Sequence, residues 1–342
     1  MESFKSYLAK VATGASLTRD EARAAFDDIL SGEVTPAQSG AFLMALRVRG
    51  EGLDEIVGAV SAMRGRMLAV KAPKGAMDIV GTGGDHSGSY NISTLAAMIV
   101  AGCGVKVAKH GNRSVSSRCG SADLFEALGV NISATPAVVE RCLEQAGIAF
   151  FFAPMFHPSM RHVGPTRKDL GVRTAFNLLG PLTNPAGAER QLVGVPRPEL
   201  TELVARSLGM LGSTRAWVVH GADGLDEIST TGYTKVSEYR DGAVNTFYIH
   251  PADVGLPKAA PEALRGADAR ENARIARDVL NGAAGAPRDI VLLNAGASLL
   301  IAGAVPDLST GISRSAAALE SGAAAATLEQ LTALSNAAPE AA

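Results

Sequence analysis

Gly81-Thr82-Gly83-Gly84-Asp85 follows the apolar run 77–80, and Asn91-Ile92-Ser93-Thr94 then opens the helical stretch 95–100. This succession of strand, glycine-rich turn and helix start sets the fold class. Glycines bring backbone N–H groups close to an anion, and a helix start adds unpaired donors with a favourable dipole. The expectation is a phosphate cradle at the end of a strand in an α/β sheet. Neither common nucleotide motif is present: no Gly-Lys-Ser/Thr ends the turn, and His86 stands where the last glycine of a dinucleotide fingerprint falls. A turn of this kind capped by Asn91 or Ser93 needs no ligand, so the stretch by itself leaves function open.

The flanking sequence has the matching texture. Short apolar runs at 77–80, 105–108, 148–153, 192–195 and 217–219 alternate with helical stretches, the pattern of a mainly parallel sheet with crossover helices. Residues 235–239 and 244–249, joined around Asp241 and Gly242, read as a hairpin instead. Before residue 70 the pattern is helical throughout. Phe26, Ile29 and Leu30, then Phe42, Leu43 and Leu46, then Ile56, Val57 and Val60 recur at three- and four-residue steps. Ser16 and Thr18 precede one helix, Thr35 and Pro36 open the next, and Gly50 and Gly52 close it. The Ala-rich C-terminal segment is helical, with a loose Ala/Pro tail expected after it.

Three further stretches carry chemistry. Lys109-His110-Gly111-Asn112-Arg113-Ser114-Val115-Ser116-Ser117 again follows a strand; residues 106–121 hold four Lys or Arg and no acid, and Ser121 starts another helix. Charge-assisted bonds, hydroxyl donors and close backbone approach are what a diphosphate and a 5-phosphate jointly require. A solvated basic loop is the plainer alternative. Asp226-Glu227, inside Gly224-Leu225-Asp226-Glu227-Ile228-Ser229, follows the run 217–219. Adjacent carboxylates there suit Mg²⁺, which bridges protein oxygens to substrate phosphates, although paired acids in a turn are also ordinary surface. Finally, residues 157–168 and 173 are rich in basic side chains, among which the arginine forks match a small carboxylate, while surface arginines and packed histidines look the same in sequence.

Composition bounds the partners. Thirty-two Lys plus Arg against 34 Asp plus Glu give a formal charge of −2, which offers no general field for nucleic acid or an anionic membrane. Any anion site is therefore local. With 47% hydrophobic and 19% charged residues, the 342-residue chain has the composition of a soluble globular protein with room for two domains. Cys103, Cys119 and Cys142 show no metal-type spacing, and no stretch reads as a secretion signal or membrane span. Reduced thiols in the cytoplasm are the expectation.

Taken together, Gly81 to Asp85, Asn91 to Thr94, Lys109 to Ser117, Gly224 to Ser229 and the string Arg173-Thr174-Ala175-Phe176-Asn177-Leu178-Leu179-Gly180-Pro181-Leu182-Thr183-Asn184-Pro185 resemble the anthranilate phosphoribosyltransferase family of tryptophan biosynthesis. The resemblance runs from about residue 5 to residue 330. It implies an α/β fold in two parts: a small helical domain of residues 1–70, joined by about 170–190, and a larger domain of residues 74–168 and 191–342 with a central, mainly parallel sheet. It also implies a homodimer through the helical domains. At matching positions it implies that phosphoribosyl pyrophosphate meets Gly81, Gly84, Asp85, Ser89, Asn91, Ile92, Ser93, Thr94, Lys109, His110, Gly111, Asn112, Arg113, Ser114, Val115, Ser116, Ser117 and Ser121. Anthranilate would meet Gly81, Asn112 and Arg167, with Pro154, His157 and Met160 along its approach. Two Mg²⁺ ions would be held by Ser93, Asp226 and Glu227, and Asn112, Arg167 and His110 would stand nearest the chemistry. A pyrimidine nucleoside phosphorylase and a non-enzymatic module that binds a phosphorylated metabolite are the rival readings.

Overall fold

The computed structural model describes residues 2–85, 87–114 and 118–337, so Val115, Ser116 and Ser117 lie outside the described residues. The chain opens with α1 (Glu2–Ala12), α2 (Arg19–Ser31), α3 (Pro36–Arg49) and α4 (Leu53–Arg66). Their limits follow from local chemistry. Thr18 and Thr35 each accept a hydrogen bond from the backbone three residues on, and Glu21 and Gln38 return the bond, forming capping boxes. Each such cap contributes about 1 kcal/mol. Gly50 ends α3.

The α/β part then runs β1 (Met77–Gly81), α5 (Ile92–Gly102), β2 (Val107–Gly111), α6 (Ser121–Ala127), α7 (Pro136–Gln145) and β3 (Ile148–Phe152). Short helices follow: α8 (Ala153–Phe156), α9 (Gly164–Leu170) and α10 (Phe176–Leu179). After them come β4 (Arg190–Gly194), α11 (Leu200–Met210), β5 (Arg215–Gly221), β6 (Thr234–Arg240) and β7 (Ala243–Ile249). The chain closes with α12 (Ala269–Leu280), α13 (Ala286–Ile301), α14 (Leu308–Glu320) and α15 (Ala323–Asn336).

The strands form one sheet in the order β3-β2-β1-β4-β5-β6-β7. Strands from β3 to β5 are parallel to their neighbours, and β6 and β7 are antiparallel. The hairpin expected from sequence is β6–β7. Its central residues, Asp241 at φ 51° and Gly242 at φ 83°, are both left-handed, as a tight primed turn requires. Side-chain alternation divides the core between the sheet's two faces. Met77, Ile79, Leu192, Trp217 and Val219 join the cluster under α5 and α13, whereas Val80, Val193, Ala216 and Val218 join the one that contains Phe26, Phe42 and Val60 of the N-terminal helices. The helical bundle is thus continuous with one face of the sheet.

β1 lies between β2 and β4, and chain direction across the sheet reverses there. In an open α/β sheet the crevice beyond the strands' C-terminal ends at such a reversal is the natural ligand position. Gly81 and Gly194 are register partners at that end. The segment after β5 crosses the same point, so a Cβ on Gly194 would strike the Asp226 carbonyl and one on Gly81 the Asp226 carboxylate. Space for a close backbone approach is what these two glycines provide.

A Gly194→Ala substitution is therefore expected to displace residue 226 and lower stability by about 1–3 kcal/mol, the usual cost of overpacking. A urea denaturation midpoint and m-value for the variant check this; an unchanged midpoint would contradict the close approach.

Candidate active site

Two neighbouring acids hold the glycine-rich segment at both ends. The Gly83 N–H donates to Asp226 Oδ2 at 2.8 Å, and the Ser93 N–H donates to Glu227 Oε1 at 3.1 Å. Ser93 lies in the first turn of α5, so Glu227 caps that helix from a distant part of the chain. The sequence offers Asn91 or Ser93 as the cap; Asn91 occupies the N-cap position, but the bond to the helix comes from Glu227. Asn91 makes no side-chain cap; its amide donates to the Cys119 carbonyl at 3.1 Å and its Oδ1 accepts from Asn272 at 3.1 Å. The helix also begins at Ile92, three residues before the expected start at 95, because Glu227 satisfies its free N–H end. Between the two pins, Gly83 at φ 64° and Gly84 at φ 77° turn the chain through the left-handed region.

Asp226 and Glu227 are only 8% and 9% exposed. Burial raises Asp226 to about 7, with the Asp85 charge adding to the rise. Burial followed by repulsion from Asp226 raises Glu227 to about 8, and Lys109 pulls in the opposite direction. Lys109 is itself 2% exposed and donates to the Ile79 carbonyl at 2.5 Å. Burial lowers its pKa while Asp78, Glu227 and Asp226 hold it up. Asp85, Lys109 and Glu227 therefore share one electrostatic neighbourhood.

Behind this cluster, Asp78 accepts from the His110 N–H at 3.1 Å and from Asn184 Nδ2 at 2.8 Å, and burial raises it to about 6. His110 Nδ1 faces the Gly180 carbonyl at 3.1 Å; a carbonyl only accepts, so that nitrogen carries the proton. The remaining lone pair on Nε2 points at His157 Nε2, 3.3 Å away. Burial depresses His110 to about 3, with the His157 charge acting the same way, and burial depresses His157 to about 4. Both rings are neutral near pH 7.

The other expected residues divide into three groups. Gly81, Gly84, Asp85, Ile92, Ser93 and Thr94 are gathered around the crevice, and the buried Thr82 and Thr94 hydroxyls have no hydrogen-bond partner among the described residues. Ser89 pairs with Arg265 through an isolated bridge and its N–H donates to the Ser87 hydroxyl oxygen at 3.2 Å, while the Ser87 hydroxyl proton goes to Asp85 at 2.6 Å. Gly111, Asn112, Ser114 and Ser121 form the second loop, where Ser121 Oγ donates to the Asn112 carbonyl at 3.4 Å. Arg113 turns to α6, pairing with Asp123 at 2.8 Å and Glu126 at 2.9 Å. The acids that neutralise it begin just beyond the acid-free stretch 106–121. Arg167 stacks over the Phe176 ring at 5.6 Å, and burial and the Arg173 charge lower its pKa. Met160 packs on the helical core and Pro154 is exposed.

No group of three or more His, Cys, Asp or Glu gathers as a self-contained metal cage among the described residues. Two buried carboxylates of a hard-oxygen type, raised by burial and by neighbouring acids, do fit Mg²⁺ shared with substrate phosphates. Two contributors carried no individual role in the sequence reading. Asp78 is an acid inside a strand, a placement that signals a buried partner. Arg173 donates to the Gly83 carbonyl at 2.6 Å, and its basic sequence context alone did not reveal that target.

Residues 5–67 match the description "Glycosyl transferase family, helical bundle domain" and residues 73–325 match "Glycosyl transferase family, a/b domain". The chain is 62% identical to the anthranilate phosphoribosyltransferase of Methylobacterium nodulans, over 98% of this chain and 100% of that one. It is similar to the solved anthranilate phosphoribosyltransferase of Thermus thermophilus at 44% identity and a TM-score of 0.92, covering 97% and 99% of the two chains. A Saccharomyces cerevisiae structure of that enzyme in complex with PRPP and Mg is similar at 29% identity and a TM-score of 0.89, with 97% of each chain covered.

The buried histidine pair has a measurable signature. Both rings have native pKa values below the unfolded value of about 6.5, so the unfolded state binds more protons and stability falls as pH drops through 6.5 toward 4. The loss is about 1.4 kcal/mol per pH unit for each ring. Asp78, Asp226 and Glu227, all raised in the native state, work in the opposite sense, so the histidine share is read as the difference between wild type and variant. His157→Gln is expected to reduce the slope by one ring's share in urea titrations between pH 6.5 and 4.5; an identical slope would contradict the neutral pair.

Proposed function

The chain belongs to the anthranilate phosphoribosyltransferases of the glycosyl transferase family, and from that membership we propose how its residues divide the work. The reaction transfers the 5-phosphoribosyl group of phosphoribosyl pyrophosphate to the amino group of anthranilate, the second step of tryptophan biosynthesis from chorismate. The amine lone pair forms the C1–N bond as the C1–O bond breaks with its electrons passing to pyrophosphate, and the new secondary amine sheds its proton. The single observation that carries the assignment is the pinning of the segment between Gly83 and Ser93 by Asp226 and Glu227.

In this reading the backbone from Gly81 to Asp85, together with Ser89 and the start of α5 at Asn91, Ile92, Ser93 and Thr94, holds the diphosphate. The loop of Lys109, His110, Gly111, Asn112, Arg113 and Ser114 with Ser121 holds the ribose phosphate. Ser93, Asp226 and Glu227 hold magnesium, two ions per site, which neutralises the leaving group's charge. The buried, oxygen-rich acidic pair supports that choice. Asn112 and Arg167 orient anthranilate, with Gly81, Pro154, His157 and Met160 lining its approach. Arg167 has no carboxylate partner among the described residues and rests on an aromatic ring, which supports its role as receiver of the anthranilate carboxylate. His110 acts by position: its lone pair is directed at His157, and the aromatic amine is already neutral at pH 7. Positioning and charge neutralisation supply the acceleration.

Residues 1–70 with about 170–190 form the small domain of this proposal, and 74–168 with 191–342 the large one. The functional unit is a homodimer through the helical domains. Val48 on α3, 81% exposed, supports an apolar contact there. The site of action is the cytoplasm, in keeping with three cysteines that form no disulfide. No helix among the described residues is long and apolar enough to cross a membrane.

Loss of anthranilate fluorescence should require the enzyme, phosphoribosyl pyrophosphate and Mg²⁺ together. In that assay Arg167→Ala is expected to raise the anthranilate KM roughly 10- to 100-fold, the equivalent of one charge-assisted pair, with little change for the sugar diphosphate. Equal losses on both substrates would overturn the role of Arg167.

A further inference from the structure

A positively charged cavity adjoins the glycine-rich segment at Gly84. It is about 130 Å³ and is lined by Arg47, Arg173, Arg197, Thr174, Asn177 and Gly84, with Glu51 as the one acid. The three arginines come from three places. Arg47 is on α3, Arg173 precedes α10, and Arg197 lies in the turn between β4 and α11. Helical bundle and sheet thus both contribute. The volume is well below the roughly 300–1,000 Å³ typical of drug-sized ligand sites, so the occupant is a small anion.

Three observations point to a ligand. First, among the described residues neither Arg47 nor Arg173 forms an ion pair with a carboxylate; only Arg197 does, with Glu199 at 3.2 Å. Burial lowers the pKa of Arg173 and the Arg47 and Arg197 charges act the same way, opposed by Asp226 and Asp85, neither of which lines the cavity; an anion among the three guanidinium groups would relieve their repulsion. Second, Thr174 is 3% exposed and its hydroxyl has no partner among the described residues. A buried unpaired hydroxyl at a cavity wall is a costly feature unless something accepts its bond. Third, Arg173 is fixed by the segment that serves the diphosphate: Nη1 donates to the Gly83 carbonyl at 2.6 Å, and a side chain on Gly84 would collide with it. No aromatic side chain lines the cavity, so an aromatic carboxylate would find no stacking partner there.

We propose that the cavity of Arg47, Arg173, Arg197 and Thr174 is a second anion site, which receives a terminal phosphate group of free pyrophosphate beside the diphosphate segment. The proposal rests on the transferase reading above, in which pyrophosphate is the leaving group. Its chemistry is that of guanidinium forks and a hydroxyl around a phosphoryl group. Because Arg47 belongs to the helical bundle and Arg197 to the sheet's periphery, an anion held there ties the two parts together.

Calorimetric titration of the whole enzyme with pyrophosphate and, separately, orthophosphate tests this, alongside pyrophosphate inhibition of turnover. The double variant Arg47→Gln/Arg197→Gln is expected to weaken pyrophosphate binding at least tenfold, and Thr174→Val about threefold, with the anthranilate KM within twofold of wild type. Thr174→Val removes only an unpaired hydroxyl, so it tests the site without endangering the fold. Pyrophosphate affinity within twofold of wild type in both variants would overturn the proposal, as would orthophosphate binding equally tightly with the same dependence on arginine. Wild-type turnover separates the two readings. Arginine-dependent pyrophosphate binding without turnover of the sugar diphosphate would sink the transferase reading and leave the anion site standing.

Discussion

Two adjacent carboxylates, buried at the reversal point of the sheet, are what the rest of the site is arranged around. Asp226 takes the Gly83 N–H and Glu227 takes the Ser93 N–H, so one dipeptide fixes where the glycine-rich segment leaves β1 and where α5 begins. Burying both charges is costly, and the raised pKa values of the pair express that cost. Lys109 offsets part of it from within the core, and a divalent cation brought by a diphosphate would offset the rest.

The fold makes this arrangement possible through omissions as much as through contacts. Gly81 and Gly194 end the two strands that flank the reversal point, and their missing side chains leave the space through which residue 226 passes. Asp78, pointing from β1, secures the second loop by accepting from the His110 backbone, and Asn184 then ties the 176–185 segment to the same carboxylate. Arg173 reaches from that segment to the Gly83 carbonyl. Both loops are therefore referred to one strand, β1.

Much of this was legible in the sequence, because the signals were local. The strand–glycine–helix succession at Met77 to Thr94, the capping residues Thr18 and Thr35, and the Asp241–Gly242 hairpin all act within a few residues of themselves. The parts that were not legible depend on side chains meeting across long separations. Asn91 or Ser93 looked like the cap of α5 because both sit at its start, yet the bond comes from Glu227. Lys109 read as part of a basic loop facing a phosphate, with a solvated loop as the alternative, and its enclosure was not foreseen, since a strand's alternation does not say which polar side chain its neighbours will cover. Arg113 is engaged by Asp123 and Glu126 on α6, a pairing that the acid-free stretch before them does not announce. The pairing of His110 with His157 likewise joins the end of β2 to the turn after α8, which no spacing announces.

The central claim is that the acidic dipeptide is a cation site shared with the diphosphate. Anomalous diffraction from crystals soaked with Mn²⁺ and phosphoribosyl pyrophosphate tests it most directly. The account predicts a peak at roughly 2.0–2.3 Å, ordinary metal–oxygen distances, from carboxylate oxygens of Asp226 and Glu227, and also within reach of the donor's phosphates. A donor bound with its metal elsewhere, and both carboxylates still engaged only with Gly83 and Ser93, would contradict it.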